Sequence, residues 1–167
     1  MRFYPYILPK PPKNYSLGTK LSFSAGDDKA IQAGGAYFAS GLSHEENWGT
    51  WTDGNALYAT LWLDSIDAPI AFSLNVEKVY HQSQPVTIKI NNKKVFEGVI
   101  ENAEDDINFV FTPDKNFLCI EIEIPNSVRP SKVASSADKR KLGIGISSIS
   151  LDRTTVEKTA KEAARQP

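Results

Sequence analysis

The sequence has little of the residues that build several common kinds of site. Its 167 residues include one cysteine, Cys119, which excludes an internal disulfide, and two histidines, with no Cys/His cluster for zinc. No apolar run approaches the roughly 20 residues of a membrane-spanning helix, and residues 1–13 contain none of signal-peptide length. With 19 basic and 20 acidic residues, the net charge of -1 argues against a basic surface for nucleic acid. We expect a cytoplasmic protein with no metal, no cofactor, no membrane span and no nucleic-acid partner.

Composition divides the chain into three segments. Residues 1–16 are predicted to form a Pro-rich N-terminal arm, because proline fixes φ and removes a backbone donor, which disfavours a helix. Residues 17–152 have the length of one ordinary domain. Residues 153–167 are rich in alanine, lysine and glutamate, which predicts a charged C-terminal helix or tail.

Within residues 17–152, apolar and polar residues alternate with a period of two. This alternation is typical of half-buried antiparallel strands, whereas a helix would space its apolar residues three and four apart. The predicted strands are 20–24, 36–40, 57–63, 70–76, 86–90, 93–100, 107–111, 118–124 and 143–151. The sequence therefore predicts an all-β fold, an antiparallel two-sheet β-sandwich or jelly roll of about nine to ten strands.

Three local features refine this prediction. Asn91-Asn92 separates two alternating runs and suits a two-residue hairpin, since asparagine tolerates positive φ. The alternation slips by one residue between Ile146 and Ile149, which predicts a β-bulge at Ser147-Ser148. The glycines of Gly143-Ile144-Gly145 lie inside a strand pattern and indicate close packing.

Residues 41–54 are the most unusual segment of the chain. They contain two of the three tryptophans together with histidine, acidic residues and glycines. Trp48 and Trp51 suit stacking on the apolar face of a sugar ring, with Glu46, His44 and Asp53 as hydrogen-bonding partners of its hydroxyls. In an extended segment the two tryptophans would point to opposite faces, one to the core and one to the surface. The alternative is that both lie in the core beneath a loop.

The same segment raises the question of catalysis. His44 with Glu45 and Glu46 suggests acid/base chemistry, but adjacent glutamates point in different directions on a regular backbone. Asp53, Asp64 and Asp67 are equally plausible partners, so no pair of carboxylates is selected for glycoside hydrolysis. Neither a serine nucleophile elbow nor a phosphate-binding loop is present. We predict no catalytic residue and no enzyme activity.

Two charged runs follow. The acidic run is Glu101, Glu104, Asp105 and Asp106, and the basic run is Arg129, Lys132, Lys139, Arg140 and Lys141. The acidic run lacks the spacing of a calcium loop, which favours a solvated turn. The basic run lies in the irregular stretch 125–141, which suits either a functional loop for a phosphate or anionic glycan or a solvated edge.

Two motifs together resemble a known family. Trp48-Gly49-x-Trp51 and, further along, the stretch from Asp138 to Ile144 resemble two motifs of the accessory β-sandwich domain attached to bacterial phosphoglycerol transferases and surface-polysaccharide glycosyltransferases. The matching positions are Gly41, Ser43, Glu46, Trp48, Gly49, Trp51, Gly54, Asp138, Arg140, Leu142 and Gly143. The resemblance implies a non-catalytic module that serves cell-surface polysaccharide synthesis by holding a glycan or a partner enzyme.

One contact would connect the two motifs. Because an arginine can bridge carboxylates with two parallel hydrogen bonds, we expect Arg140 to reach Glu46 or Asp138 and to hold the late loop against the Trp48 segment. The alternative function is a structural or protein-interaction sandwich without a small-molecule site, including a homo-oligomer formed through an edge strand. A glycosidase or lyase on a jelly roll is the third hypothesis.

Overall fold

The computed structural model describes residues 13–26, 31–33, 37–66 and 69–154, which form two packed β-sheets and one helical turn, α1 (Pro130–Val133). The thirteen strands of this part are β1 (Lys13–Tyr15), β2 (Lys20–Ser22), β3 (Ile31–Gln32), β4 (Phe38–Ser40), β5 (Leu42–Glu46), β6 (Gly49–Asp53), β7 (Ala56–Leu63), β8 (Ile70–Val79), β9 (Gln84–Ile90), β10 (Lys93–Ile100), β11 (Ile107–Phe111), β12 (Phe117–Glu123) and β13 (Leu142–Arg153). The predicted all-β, two-sheet sandwich is confirmed. No helix within the described ranges has the length and apolar character to cross a membrane.

The first sheet has the order β1-β7-β12-β9-β10, and β4 also pairs with β7. The second sheet has the order β11-β8-β13-β2-β3, while β6 pairs with β13 and β5 pairs with β6. Neighbouring strands are antiparallel except for the pairs β1 with β7 and β2 with β3, which are parallel. The long strand β13 therefore organises the second sheet, because β8 lies along one side of it and β6 and β2 share the other.

The core lies between the sheets and takes every second side chain of each long strand. The residues buried along β8 and β12 are Ile70, Phe72, Leu74, Val76, Leu118, Ile120 and Ile122. Burial of each such side chain contributes about 1.5–3 kcal/mol, so the alternation alone supplies the driving force for packing the sheets.

The short strands β1, β3, β5 and β6 were not predicted as strands. Lys13–Tyr15 lies within the predicted arm, yet it pairs with β7, and Tyr15 is only 1% exposed. These residues therefore belong to the sandwich and not to the arm. The sequence did not reveal this strand, because three residues next to prolines are too few to show a period of two. The rest of the predicted arm, residues 1–12, and most of the predicted tail, residues 155–167, lie outside the described residues.

The predicted local features are present. Asn91 and Asn92 have φ of 49° and 66°, which confirms the two-residue hairpin. In the pairing of β13 with β8, Ile146 lies opposite Val76 and Ser148 opposite Asn75, so Ser147 is the extra residue of the predicted bulge.

The acidic run forms a turn between β10 and β11. Asp105 accepts hydrogen bonds from the backbone N–H groups of Glu101 and Asn102, and Asp106 accepts one from the backbone N–H of Val76. These carboxylates cap backbone groups, as the interpretation of a solvated turn predicts.

Candidate functional site

The β5–β6 hairpin carries most of the predicted site residues. Its two strands are joined by the turn Asn47-Trp48, and β6 pairs with β13. Gly49 follows this turn with a φ of +151°, and a Cβ placed there would lie 2.2 Å from the carbonyl oxygen of Ile146. Glycine is therefore required where the hairpin passes close to β13.

Trp48 fills a gap on the outer face of the second sheet. Gly145 in β13 lies opposite Trp51 on one neighbouring strand and Lys78 on the other, so these three residues share a face. A Cβ on Gly145 would lie 2.6 Å from Cη2 of Trp48, which shows that the indole packs directly on the glycine. The close packing predicted for this glycine is confirmed.

Three aromatic rings form a continuous surface here, which we call the aromatic patch: Trp48, Trp51 and Tyr80. Trp48 and Trp51 meet at 5.5 Å between ring centroids with an interplanar angle of 75°, and Trp51 and Tyr80 meet at 6.0 Å and 90°. All three are half-buried, and the ammonium of Lys78 lies 4.4 Å from the ring centroid of Trp48. Edge-to-face packing and a cation over a ring each stabilise this arrangement by about 0.5–1.5 kcal/mol.

The prediction that Trp48 and Trp51 point to opposite faces is wrong. Trp48 lies in the turn and not in a strand, so strand alternation does not govern the direction of its side chain. The two indoles pack against each other on the same face, and neither is a core residue beneath a loop.

Glu46 and Arg140 connect the aromatic patch to the late loop. Glu46 accepts a hydrogen bond from Nε1 of Trp48 at 2.8 Å through Oε2, and its Oε1 lies 3.5 Å from Nη1 of Arg140. Nη2 of Arg140 lies 2.7 Å from Oδ2 of Asp138, and Nη1 donates to Oγ of Ser43 at 2.8 Å. The expectation that Arg140 bridges to a carboxylate is confirmed for both acids, and the contact unites the two motifs.

The same ion pair shifts the titration of its members. The hydrogen bond from Arg140 holds the pKa of the Asp138 carboxyl below its ordinary range, and the same bond raises the pKa of the guanidinium. Both groups are therefore charged throughout the physiological range of pH, which keeps the bridge intact.

The other two predicted ligand residues lie apart from the aromatic patch. His44 is exposed, and its Nδ1 is 3.3 Å from Oγ of Ser43. Asp53 is at the far end of β6, where Oδ1 accepts a hydrogen bond from the backbone N–H of Lys141 at 2.7 Å. Asp53 thus positions the late loop, and no described contact connects it with the aromatic rings.

A groove of about 260 Å³ adjoins the hairpin on the side of β5. We call it the β5 groove. Its apolar floor and polar rim are formed by Phe23, Phe38, Ser40, Ser43, His44 and Glu45. The two phenylalanines are buried and meet edge to face with 5.1 Å between their ring centroids. Ser43 belongs both to this rim and to the network of Arg140.

Sequence reasoning missed Lys78 and Tyr80. Both follow the alternating part of β8, in a stretch where Glu77 is skipped in the pairing with β13. This irregularity interrupts the alternation of inward and outward side chains along β8. The period of two therefore does not reveal which residues after Glu77 face outward. The aromatic side chain of Tyr80 beside His81 was the one signal available.

The sequence model of the family described as "Domain of unknown function (DUF7024)" matches residues 28–153. No curated protein matches the chain.

Solved structures with a similar fold include three carbohydrate-binding modules. One is a family 35 module from Clostridium thermocellum, with 9% identity, a TM-score of 0.48, and coverage of 81% of this chain and 99% of that one. Another is the CBM36-1 domain of a multidomain xylanase from the hindgut metagenome of Trinervitermes trinervoides, with 14% identity, a TM-score of 0.39, and coverage of 65% and 80%. A third is a CBM36 module in complex with calcium and xylotriose, with 11% identity, a TM-score of 0.39, and coverage of 80% and 99%. At these identities the likeness concerns the fold alone.

Proposed function

We propose that this chain, which belongs to the DUF7024 family, is a non-catalytic carbohydrate-binding module that serves the synthesis of bacterial cell-surface polysaccharide. The observation that carries the binding function is the aromatic patch, three contiguous rings held half-exposed on the outer face of a rigid sheet.

The aromatic patch has the chemistry of a sugar platform. A pyranose ring presents an apolar C–H face, and aromatic rings with one polar edge bind such amphipathic surfaces well. Trp51 is wedged between the rings of Trp48 and Tyr80, and Glu46 fixes the indole of Trp48 through its N–H. Because these rings are already held in place, a ligand would lose little affinity to ordering them.

The β5 groove supplies polar groups on the same hairpin. Ser43, His44 and Glu45 offer hydroxyl, imidazole and carboxylate groups at its rim. Such a small set of donors and acceptors beside apolar rings is the composition of an oriented small-ligand site.

The acidic groups near the aromatic patch support binding rather than hydrolysis. Glu46 and Asp138 both contact the guanidinium of Arg140, and Glu46 also accepts the indole N–H of Trp48. Carboxylates engaged in this way hold a loop in place and are not available as the general acid and base that glycoside hydrolysis needs.

The link to polysaccharide synthesis rests on the resemblance of two motifs, around Trp48 and around Arg140. The contact between Arg140 and Glu46 joins the two motifs in the folded chain. A module of this kind would hold a growing glycan near the enzyme that extends it.

A glycan array with fragments of bacterial surface polysaccharides tests the proposal. We expect the wild-type protein to bind, and Trp51→Ala and Tyr80→Ala to weaken binding by about tenfold, since each loses a ring contact worth up to roughly 1.5 kcal/mol. Trp62→Ala is the matched control, because Trp62 is 38% exposed and belongs to β7 in the other sheet.

Folding of each variant is checked by near-ultraviolet circular dichroism. Absence of binding by the wild-type protein would contradict the proposal, as would undiminished binding by both folded patch variants. Loss of binding in Trp62→Ala instead would move the site to the first sheet.

A second function, self-association, is favoured by strand β11. This strand pairs with β8 on one side, and no described strand pairs with its other side. Its residues Ile-Asn-Phe-Val-Phe carry no charge, and Val110 is 60% exposed. Edge strands normally carry charge or proline that prevents pairing with another chain. The other edge strand nearby, β10, does carry charge at Lys93, Lys94 and Glu97.

Light scattering over a range of protein concentrations tests self-association. We expect a dimer that Val110→Lys converts to a monomer, whereas Val99→Lys, at a site 55% exposed on β10, leaves it intact. A wild-type protein that is monomeric at every concentration would exclude this function.

A further inference from the structure

A pocket of about 450 Å³ lies under the irregular stretch that precedes β13. We call it the basic pocket. Its described lining is Ser127, Val128, Arg129, Lys132, Val133 and Lys141. Three of these six residues are cationic, and none is acidic, although the chain as a whole has a net charge of -1.

Ion pairs with acidic residues involve only some of the basic residues of the described surface. The ion pairs there are Lys89 with Glu123, Lys93 with Asp114, Lys94 with Glu97, and Arg140 with Asp138 and Glu46. None of the ion pairs within the described residues involves the three cations of the basic pocket. Like charges gathered without counter-ions repel one another, so an arriving anion would be stabilised by all three.

The walls of the basic pocket are built by specific contacts. Val128 and Leu142 form an isolated antiparallel bridge, which fixes Lys141 next to it. Gly143 permits this approach, because a Cβ there would lie 2.5 Å from Oγ of Ser127. The pocket is therefore preformed by the backbone and does not depend on flexible side chains alone.

Arg140 and Lys141 are adjacent in the loop but have different surroundings. Arg140 turns toward Asp138 and Glu46, while the half-buried Lys141 lines the basic pocket. The ion pairs of Arg140 thus anchor the loop and leave its neighbour available. The loop is tied further by a hydrogen bond from the backbone N–H of Ser131 to the carbonyl of Asp138 at 3.1 Å.

We propose that the basic pocket binds the anionic group, a phosphate or a carboxylate, of an acidic glycan. The inference rests on the proposed carbohydrate-binding function and narrows its ligand to a charged polysaccharide. Arg129 presents a planar fork of donors that matches both anions, and the two lysines add point charges. The exposed Val133 gives the pocket an apolar wall against which a sugar ring can lie.

Titration with inorganic phosphate, followed by amide chemical shifts, tests the anion site directly. We expect saturable shifts at Val128, Lys132 and Lys141 and binding that weakens as salt is added. Lys132→Gln and Lys141→Gln should each weaken the interaction about tenfold, since one hydrogen bond to a charged group is lost. Lys139→Gln is the matched control, because Lys139 is exposed in the same loop and does not line the pocket.

Three oligosaccharides of equal length distinguish a phosphate from a carboxylate as the bound anionic group. One is phosphorylated, one contains a uronate, and one is neutral. Tighter binding of one charged ligand, lost in Lys132→Gln and kept in Lys139→Gln, supports the inference and identifies the anion. Equal binding of the neutral ligand, abolished by Trp51→Ala but not by Lys132→Gln, would overturn the inference and leave the carbohydrate-binding function standing. Phosphate shifts that are absent, or that Lys139→Gln reduces as strongly, would also overturn it.

Discussion

Nη1 of Arg140 lies 3.5 Å from Oε1 of Glu46, across two segments that are far apart in the sequence. Glu46 in turn accepts the indole N–H of Trp48, so a single carboxylate joins the late loop to the aromatic patch. Both side chains are about two-thirds or more buried, with relative exposures of 27% and 33%. The pair therefore acts in a partly desolvated setting, where geometry matters more than at an open surface.

Replacing Arg140 should loosen the late loop. Arg140→Gln removes the guanidinium contacts to Glu46, Asp138 and Ser43, and we expect a loss of about 1–2 kcal/mol in the free energy of unfolding. Urea denaturation measures this loss.

Lys139→Gln, which removes the neighbouring exposed charge, should change the stability by less than about 0.5 kcal/mol. Arg140→Lys keeps the charge but not the planar fork, so it should recover only part of the loss. Equal stability of Arg140→Gln and the wild-type protein would mean that the bridge contributes nothing to holding the loop.

The pKa of Asp138 reports the same contact. Since the hydrogen bond from Arg140 favours the carboxylate, the carboxyl should titrate below its ordinary value of 3.8. A carboxyl with a lowered folded-state pKa stabilises the fold at neutral pH, and this contribution is lost as the pH falls through the folded-state pKa. Carbon-detected NMR of the Asp138 carboxyl measures the value. In Arg140→Gln we expect it to return toward 3.8, and an unchanged titration would show that Arg140 is not its cause.

The position of Trp48 depends on Gly145. In Gly145→Ala the new Cβ would meet the indole at 2.6 Å, so the ring must move and the variant should lose about 1–3 kcal/mol. Tryptophan fluorescence should shift to longer wavelength as the indole becomes more exposed.

Gly26→Ala provides the comparison for this variant. That site has open space around it and a φ of +79°, so the change strains the backbone without touching a tryptophan. An emission spectrum that changes equally in both variants would argue against the packing of Trp48 on Gly145.

Tyr15 makes the fold sensitive to alkali. Burial raises the pKa of its hydroxyl from 10.0 to about 12, and the hydroxyl accepts a hydrogen bond from the backbone N–H of Leu151 at 2.9 Å. Because the folded-state pKa exceeds that of the unfolded chain, the neutral phenol contributes its full stabilisation below about pH 10. This contribution to the free energy of unfolding is lost as the pH rises toward 12. The full loss is roughly 3 kcal/mol, since one pKa unit corresponds to about 1.4 kcal/mol.

Denaturation of the wild-type protein and Tyr15→Phe at several alkaline pH values isolates this effect. We expect the phenylalanine variant to be the less stable near pH 8, because it leaves the N–H of Leu151 unpaired, and the difference to shrink above pH 10. A difference independent of pH would contradict the raised pKa.

Much of the sandwich could be predicted, because long strands show a clear alternation of apolar and polar residues in the sequence. The alternation through β8 and β12 marks which side chains face the core, and the slip near Ser147 marks a bulge. The strands β5 and β6 escaped prediction because their residues are mostly polar, and the buried positions of β6 are Gly49, Thr50 and Thr52, so no apolar alternation marks them. The pairing of β6 with β13 depends on the close approach at Gly49, which no local pattern reveals.

The candidate site divides in the same way. The composition of residues 41–54 drew attention to Trp48 and Glu46, whereas the basic run and the resemblance of the late motif drew attention to Arg140. Only the tertiary structure decided that the two tryptophans share a face, that Asp53 supports the backbone of Lys141, and that Tyr80 completes the aromatic patch.

The sequence by itself determined the class of fold, since a period of two in apolar residues is a local property that survives any arrangement of the strands. The tertiary structure decided which strands lie side by side and in which register. Register depends on bulges and on glycines that admit a neighbouring chain, and each such contact joins residues that are distant in the sequence. The aromatic patch and the basic pocket arise from those contacts around β13, and for that reason they become visible only in the folded molecule.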